Sequence, residues 1–506
     1  MNSLVKFASI VGRGLLLHRN HENGARNFIT SQISTIPGVP AKIGQLLLSQ
    51  MADDVANESQ PVPAMSLEEV KYIIKDESPK LWHSIDSISP EAKTASLGQV
   101  HKAELKNGTK VAIKIQYPGV VKELKSQLKA LFFTAKLSPA KKYGLDLDAY
   151  KQFITESLLN ELDYTKEAQE QRRFFEHFTG RHGITIPQPI LELTSPTILV
   201  QSFEVSVNTK QVKQWWPISE KIQAAQQMLE FAFRSMIDHG HVHTDLHNEN
   251  YGFKLRKNEK VDLVVYDFGS TLKIPNSAVM ALLKLVTAYE HNRPLDPYDV
   301  FVHIGFDPSK LGKISKRLPI LCQVLFEPLV DNRPFSPKKW NLKETFEQVL
   351  GADKWWFRTA GPPWFLYLMK SFQGALSAIH ELDVAVDVRS LFCKIRMPYL
   401  QEIETFQIPI SKISPEEGHA SSIDCATHLK VSVNEGANSV VQVELPARAV
   451  DDLEDLIPED NKDKIEQQGY DLLAIKKSVQ RQGYQPSTLL DASIGNRRYL
   501  VELIKK

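Results

Sequence analysis

The chain has 506 residues, 42% apolar and 24% charged, which allows two or three domains with ordinary soluble cores. A net charge of +1 gives no bulk electrostatic drive toward nucleic acid, so no nucleic-acid partner is expected. Three scattered cysteines, Cys322, Cys393 and Cys425, lack metal-ligand spacing and suit a reducing, cytoplasmic setting without a disulfide framework.

No run of about 20 apolar residues exists, so no membrane span is expected. Leu4 to Leu17 is moderately apolar, with Lys6 and Arg13 inside it and no small-residue cleavage site. It reads as an amphipathic helix, either packed on the protein or lying on a membrane surface, so peripheral membrane contact stays open.

Residues 1–60 read as helical, broken by Pro37-Gly38-Val39-Pro40 and ended by Pro61-Val62-Pro63. Ser66 followed by Glu69 is a capping-box pattern that predicts a helix over 67–75. Gly98–Leu105 and Lys110–Gln116 are strand-like runs around Asn107-Gly108, a hairpin signal. From about 121 to 180 the pattern is helical and highly charged, and Ile198–Phe203 is a short apolar strand. Residues 219–239 have helical period. Tyr251–Phe253 and Val261–Tyr266 predict a second hairpin around a polar turn. Residues 276–410 read as mainly helical, and 411–427 as a Ser/Pro/Gly-rich linker. Beyond it, Leu429–Val433 and Ser439–Leu445 predict a hairpin, helices follow at about 447–456, 460–468 and 470–482, and Arg497–Ile504 would close as a strand. The expected division is 1–90 helical extension, 91–205 small lobe, 206–410 large lobe, 411–427 linker and 428–506 a small α/β domain.

The chemistry concentrates in His243-Thr244-Asp245-Leu246-His247-Asn248-Glu249-Asn250 and Asp267-Phe268-Gly269. An Asp, an Asn five residues on and an Asp-Phe-Gly after a hairpin stand in the order of a phosphoryl-transfer site. In such a site the first Asp orients the attacking hydroxyl, while the Asn and the second Asp hold magnesium against phosphates. Asp245 is therefore the candidate catalytic base or orienter, and Asn250 and Asp267 are the candidate metal ligands. Alone, D-x-x-x-x-N occurs by chance in many chains; the strand and Asp-Phe-Gly that follow give it weight.

Val111-Ala112-Ile113-Lys114 supplies a strand lysine whose side chain would leave the face that Val111 and Ile113 bury. There it could reach the α/β-phosphates of a nucleotide. It needs a helical carboxylate partner. Glu156, Glu161, Asp163 and Glu167 share one helical segment, with Glu161 the first choice and Glu167 the second. No G-x-G-x-x-G loop precedes the hairpin. The equivalent stretch runs Lys93-Thr94-Ala95-Ser96-Leu97-Gly98-Gln99-Val100, and its Ala95–Gln99 portion is the candidate nucleotide-binding loop.

Ala95 to His101 resembles the alanine-rich loop of the UbiB / aarF-domain atypical kinases. Lys42-Ile43-Gly44-Gln45 resembles their K-x-G-Q signature, and Glu161-Leu162-Asp163 their E-x-D motif. His243–Asn250 is similar to their catalytic loop, and Asp267-Phe268-Gly269 to their metal motif. The resemblance covers about residues 20–300. It implies an α+β fold, two-lobed and protein-kinase-like, with an N-terminal helical extension. Lys42, Gly44 and Gln45 would then occlude the pocket where a peptide would lie. It also implies ATP and Mg2+ as cofactors and a role in isoprenoid quinone (ubiquinone-type) biosynthesis or lipid homeostasis, with lipid or quinone-pathway partners. The chain departs from the family at Lys93 and Thr94, and at Thr244, Leu246, Asn248 and Glu249 of the catalytic loop. Its tail loosely resembles a small α/β domain appended to bacterial proteins. A nucleotide-binding pseudokinase scaffold is the alternative. A protein kinase is a third reading, disfavoured because Thr271–Val286 reads as running straight into helix with no A-P-E segment.

Overall fold

The computed structural model describes residues 64–95, 97–120, 155, 159–181, 183–257, 260–340, 342–411, 426–435, 438–453, 457, 459–482 and 484–505. Lys42, Gly44, Gln45, Ser96, Glu156 and the Leu4–Leu17 segment lie outside these residues. The described chain divides into two compact units. The first runs to Lys273 and adds Pro363–Val384; the second comprises Ile274–Pro362 and Ala385 onward. The stretch expected as one helical large lobe, 206–410, is thus shared between the two.

The first unit opens on α1 (Leu67–Glu77). Its capping box forms as the sequence implied: Ser66 Oγ accepts from Glu69 N, and Glu69 Oε2 accepts from Ser66 N at 2.7 Å. After α2 (Pro79–Ser84) comes a four-stranded antiparallel sheet in the order β1 (Ile85–Thr94), β2 (Gly98–Leu105), β3 (Lys110–Gln116) and β5 (Ile198–Ser202). Val111, Ile113 and Ile115 of β3 join Val70, Ile74 and Leu81 in one buried cluster. Each such side chain contributes about 1.5–3 kcal/mol of transfer free energy. Period-2 alternation sends Lys114 to the opposite face, where Leu199 packs with Tyr164 and Ala168. Strand β1 was not foreseen. It is an edge strand with register shifts, it contains Pro90, and its burial does not alternate cleanly, so it carries none of the usual strand signal.

Helix α3 (Tyr164–Phe178) crosses beside this sheet. Asp163 is its N-cap, accepting from Thr165 N at 3.1 Å. The short β4 (Ile184–Thr185) pairs in parallel with β8. Helices α4 (Thr209–Trp215) and α5 (Ile218–Ile237) follow. Next comes β6 (His241–His243), then the expected hairpin of β7 (Tyr251–Leu255) with β8 (Val261–Val265). The chain does not run straight from Thr271 into helix. Thr271–Lys273 is a strand, β9, antiparallel to β6, so the segments on either side of the loop hairpin are tied together.

The second unit holds α6 (Asn276–Glu290), α7 (Pro297–His303), α8 (Pro308–Gly312), α9 (Leu318–Val330), α10 (Leu342–Leu350) and α11 (Lys354–Ala360). Helix α12 (Pro363–Leu382) returns to the first unit. Helices α13 (Val388–Arg396) and α14 (Leu400–Thr405) belong again to the second, as does an antiparallel sheet in the order β11-β10-β13-β12. The foreseen hairpin is β10 (His428–Glu435) with β11 (Asn438–Pro446), and β13 (Arg497–Ile504) pairs with β10. Strand β12 (Ser487–Ile494) is the unforeseen member, its register broken between Thr488 and Leu490. Helices α15 (Glu459–Glu466) and α16 (Leu472–Gln482) complete this α/β portion.

Candidate active site

Lys114 stands on β3 opposite Leu199 of β5 and Val100 of β2. Its ammonium donates to both carboxylate oxygens of Glu167, at 2.8 and 2.9 Å, and to Asp267 Oδ2 at 2.8 Å. It also lies 4.8 Å from the centre of the Tyr164 ring. The partner is therefore Glu167, and the expectation of Glu161 is corrected. The helical segment breaks at Leu162–Asp163, so Glu161 precedes the cap, whereas Glu167 is one turn inside α3 on the buried stripe of Tyr164, Ala168 and Gln171. Glu161 is itself buried, beside Gly269.

Two carboxylates thus share one cation. Burial works against the charge on Lys114, but Asp267 and Glu167 outweigh it and hold the ammonium well above the ordinary lysine range. Burial and the neighbouring Asp267 push the Glu167 carboxyl up to about 7, against the pull of Lys114. With both carboxylates ionised the cluster carries one excess negative charge.

Asp267 is positioned from its own turn and from the loop. Its Oδ1 accepts from Gly269 N at 3.1 Å, and its carbonyl accepts from His243 Nε2. His243 Nδ1 accepts from Asp245 N at 3.1 Å, which leaves the proton on Nε2 as the donor to Asp267. Burial holds this ring below the ordinary histidine range, consistent with a neutral imidazole. One buried histidine therefore links the backbones of the two acidic motifs. Phe268 is fully buried, with ring centroids 4.9 Å from Phe174 of α3 and 5.4 Å from His243. The turn that carries Asp267 is thus packed on the helix that carries Glu167.

The loop Thr244–Asn250 is closed on itself. Asn250 Nδ2 donates to the Asp245 carbonyl at 2.9 Å, and Tyr266 N donates to the Asn250 carbonyl at 2.9 Å. Asn250 is buried, and its Oδ1 accepts no hydrogen bond among the described residues. Asn250 thus leaves one side-chain oxygen without a hydrogen-bond donor among the described residues, and its backbone pairs with Tyr266, the residue before Asp267. Asp245 Oδ1 accepts from Lys370 Nζ at 2.8 Å, and its Oδ2 lies 3.5 Å from His247 Nε2. Glu249 is exposed, so its charge faces solvent.

The candidate nucleotide loop is the β1–β2 turn, closed by Ala95 N donating to the Gly98 carbonyl at 2.8 Å. A Cβ at Gly98 would collide with the Ile115 carbonyl, so only glycine lets these strands come together here. Leu97 is buried. The Gln99 side chain is engaged with other partners. It is fully buried, and its amide is spent on the Met65 backbone, at 2.6 and 3.2 Å, and on His101 Nε2, at 2.8 Å. Lys93, a departure in the sequence, reaches across to the Glu249 carbonyl at 3.4 Å.

The structure brings Lys114, Asp245, Asn250 and Asp267 to one region of the first unit, with Glu167 in place of Glu161. Sequence reasoning missed Lys370, which is separated from Asp245 by 125 residues and belongs to no local motif. It also missed His243 as a link, although its place two residues before Asp245 was visible.

Residues 58–293 match the family model described as the ABC1 atypical kinase-like domain. The chain carries an ABC1 atypical kinase-like domain. The resemblance to UbiB / aarF atypical kinases read from five motifs agrees with this. The Saccharomyces cerevisiae protein named atypical kinase COQ8, mitochondrial, is 27% identical over 300 residues, which cover 55% of this chain and 57% of that protein. The chain thus spans little more than half the length of that relative. Atypical kinase COQ8B, mitochondrial, of Rattus norvegicus is 27% identical over 402 residues, 75% of this chain and 74% of the rat protein. A solved structure described as the complex of Rv3197 with erythromycin from Mycobacterium tuberculosis aligns with a TM-score of 0.52 at 21% identity, over 76% of this chain and 98% of that one. That likeness is one of fold. The ABC1 domain and these relatives agree with a two-lobed α+β, kinase-like architecture. Among the described residues no helix is long and apolar enough to cross a membrane.

Proposed function

We propose that this ABC1-type protein binds ATP with magnesium and turns it over as an atypical kinase or ATPase serving isoprenoid quinone or lipid metabolism. The observation that carries the reading is the Lys114 ammonium bonded to Glu167 and Asp267, beside a loop that presents Asp245 and Asn250. Lys114 would exchange a carboxylate for the α/β-phosphates, with Glu167 keeping the ammonium in place. Asn250 and Asp267 would hold the metal, which when bound would neutralise charge on the phosphates. Asp245 would orient the attacking hydroxyl or water. The Ala95–Gly98 turn would cover the phosphates through its backbone, the small residues allowing close approach.

Three measurements test this. ATP with magnesium should raise the melting temperature of the unmodified protein, and D267N should lose that rise; an unchanged rise in D267N sinks the metal assignment. ATP hydrolysis, with and without lipid vesicles, should fall by about 100-fold or more in D245N. Equal rates in the two proteins would leave a nucleotide-binding scaffold as the better reading. For the pathway, a strain carrying D245N should reproduce the quinone and lipid profile of a strain lacking the protein.

A further inference from the structure

Helix α12 is the longest sequence step away from the acidic loop within the first unit, yet it runs along that loop at several points. Lys370 Nζ bonds Asp245 Oδ1 at 2.8 Å. A Cβ on Gly374 would lie 2.5 Å from the Leu246 carbonyl oxygen and 2.8 Å from its Cβ, so the helix backbone touches the loop there. Glu381 Oε2 accepts from Asn248 Nδ2 at 2.5 Å. Lys370, Gly374 and Glu381 are one and two turns apart, so they share a single face of the helix. Residues 245, 246 and 248 are read off in the same order along it. Phe372 packs on Phe233 of α5 at 5.5 Å between centroids, which seats the helix on the large-lobe core. Asp383, in the left-handed region at φ 58°, ends it.

The ion pair is partly enclosed. The Lys370 side chain is 30% exposed and that of Asp245 11%. A carboxylate at that depth with one lysine on Oδ1 has its rotamer fixed, and its Oδ2 edge is turned toward His247. We propose that Lys370 is a positioning residue of the phosphoryl-transfer site: delivered by α12, it fixes the Asp245 carboxylate so that one edge faces the acceptor. The stripe of Gly374 and Glu381 holds the loop at the distance at which this lysine reaches. This rests on the ATP-turnover reading given above. It adds to it a requirement met from outside the acidic loop and outside the matched domain, which ends at residue 293.

The test uses the full chain as K370M, which keeps the stem and removes the charge, K370R, D245N and the double variant. K370M should lower kcat by about 10- to 100-fold, as misplacement of a reacting group does, with KM for ATP-magnesium within about twofold. K370R should recover most of the rate. In the D245N background K370M should cost less than about twofold more, because the group it positions is already gone. Full kcat in K370M overturns the proposal, as does a K370M loss that multiplies in full with that of D245N. If the unmodified protein shows no turnover, the ATP-turnover reading fails and takes the catalytic consequence with it. The four melting temperatures still judge the contact: non-additive shifts uphold the Lys370–Asp245 coupling, and additive shifts overturn it.

Discussion

The two acidic ends of the candidate site are held by different means. At Asp267 the cation is Lys114, from a strand of the small lobe, and it is shared with a second buried carboxylate. At Asp245 the cation is Lys370, from a helix far downstream, with His247 3.5 Å from the other carboxylate oxygen. The first arrangement is strained in charge, with two acids on one base, and suits a site that exchanges one partner for a phosphate and a metal. The second is balanced and suits a group that must keep its orientation. The contrast teaches that the proposed site joins a cluster whose cation is shared by two acids to a carboxylate held by a distant helix.

The largest effect expected from breaking this contrast is at Lys114. K114M leaves the buried Glu167 and the half-buried Asp267 beside each other without their cation, which costs about 3–5 kcal/mol. Chemical denaturation should show a lowered midpoint, and ATP should no longer protect. A double variant, K114M with E167Q, should recover part of that loss, since one of the two stranded charges is gone; no recovery would mean the pairing is not the source of the cost.

At the other end, G374V would drive a side chain into Leu246 and move α12 off the loop. Overpacking of this kind costs about 1–3 kcal/mol. The expected signature is a drop in kcat resembling that of K370M, with nucleotide-induced stabilisation retained. G374A, the smaller intrusion, should fall between G374V and the unmodified protein.

A pH effect sharpens the contrast further, because α3 is anchored at its far end by a stacked pair of histidines. His177 of α3 stacks on His239 at 3.9 Å between centroids, and His241 bonds Glu170 at 2.9 Å. Burial, then the proximity of His177, lowers His239 to about 4, and burial with His241 lowers His177. A histidine lowered in the folded state contributes stability that is complete above its unfolded value near 6.5 and is lost as pH falls toward the folded value. The melting temperature should therefore decline from about pH 6.5 toward pH 4. H239F should flatten that decline while leaving the melting temperature at pH 8 within a few degrees.

The smallest effect expected is at the floor of the small lobe. S66A removes the cap of α1 and should cost about 1 kcal/mol without touching nucleotide binding. A larger loss, or one that reached ATP affinity, would mean that α1 is coupled to the Lys114 end, since Gln99 ties the Met65 backbone to the strand beside the phosphate turn.

Much of the fold was legible wherever local pattern and burial agree. The capping box at Ser66, the three hairpins, the strand that turns Lys114 away from Val111 and Ile113, and α5 all follow from spacing alone. Strands β1 and β12 were not legible, because an edge strand with bulges satisfies its backbone without burying alternate side chains. The choice between Glu161 and Glu167 turned on where α3 begins. That in turn depended on Asp163 acting as a cap, a role its place in an E-x-D motif did not announce.

The order of the motifs, the residue types proposed to hold phosphate and metal, and the alternation that points a lysine away from the core were determined by the sequence by itself. They are local, and local geometry has fixed periods. Only the tertiary structure decided which carboxylate meets Lys114, that His243 joins the two acidic turns, and that Lys370 faces Asp245. Those contacts depend on how separate elements pack, and no repeat along the chain encodes the distance between residues that meet only after the helices and sheets have come together.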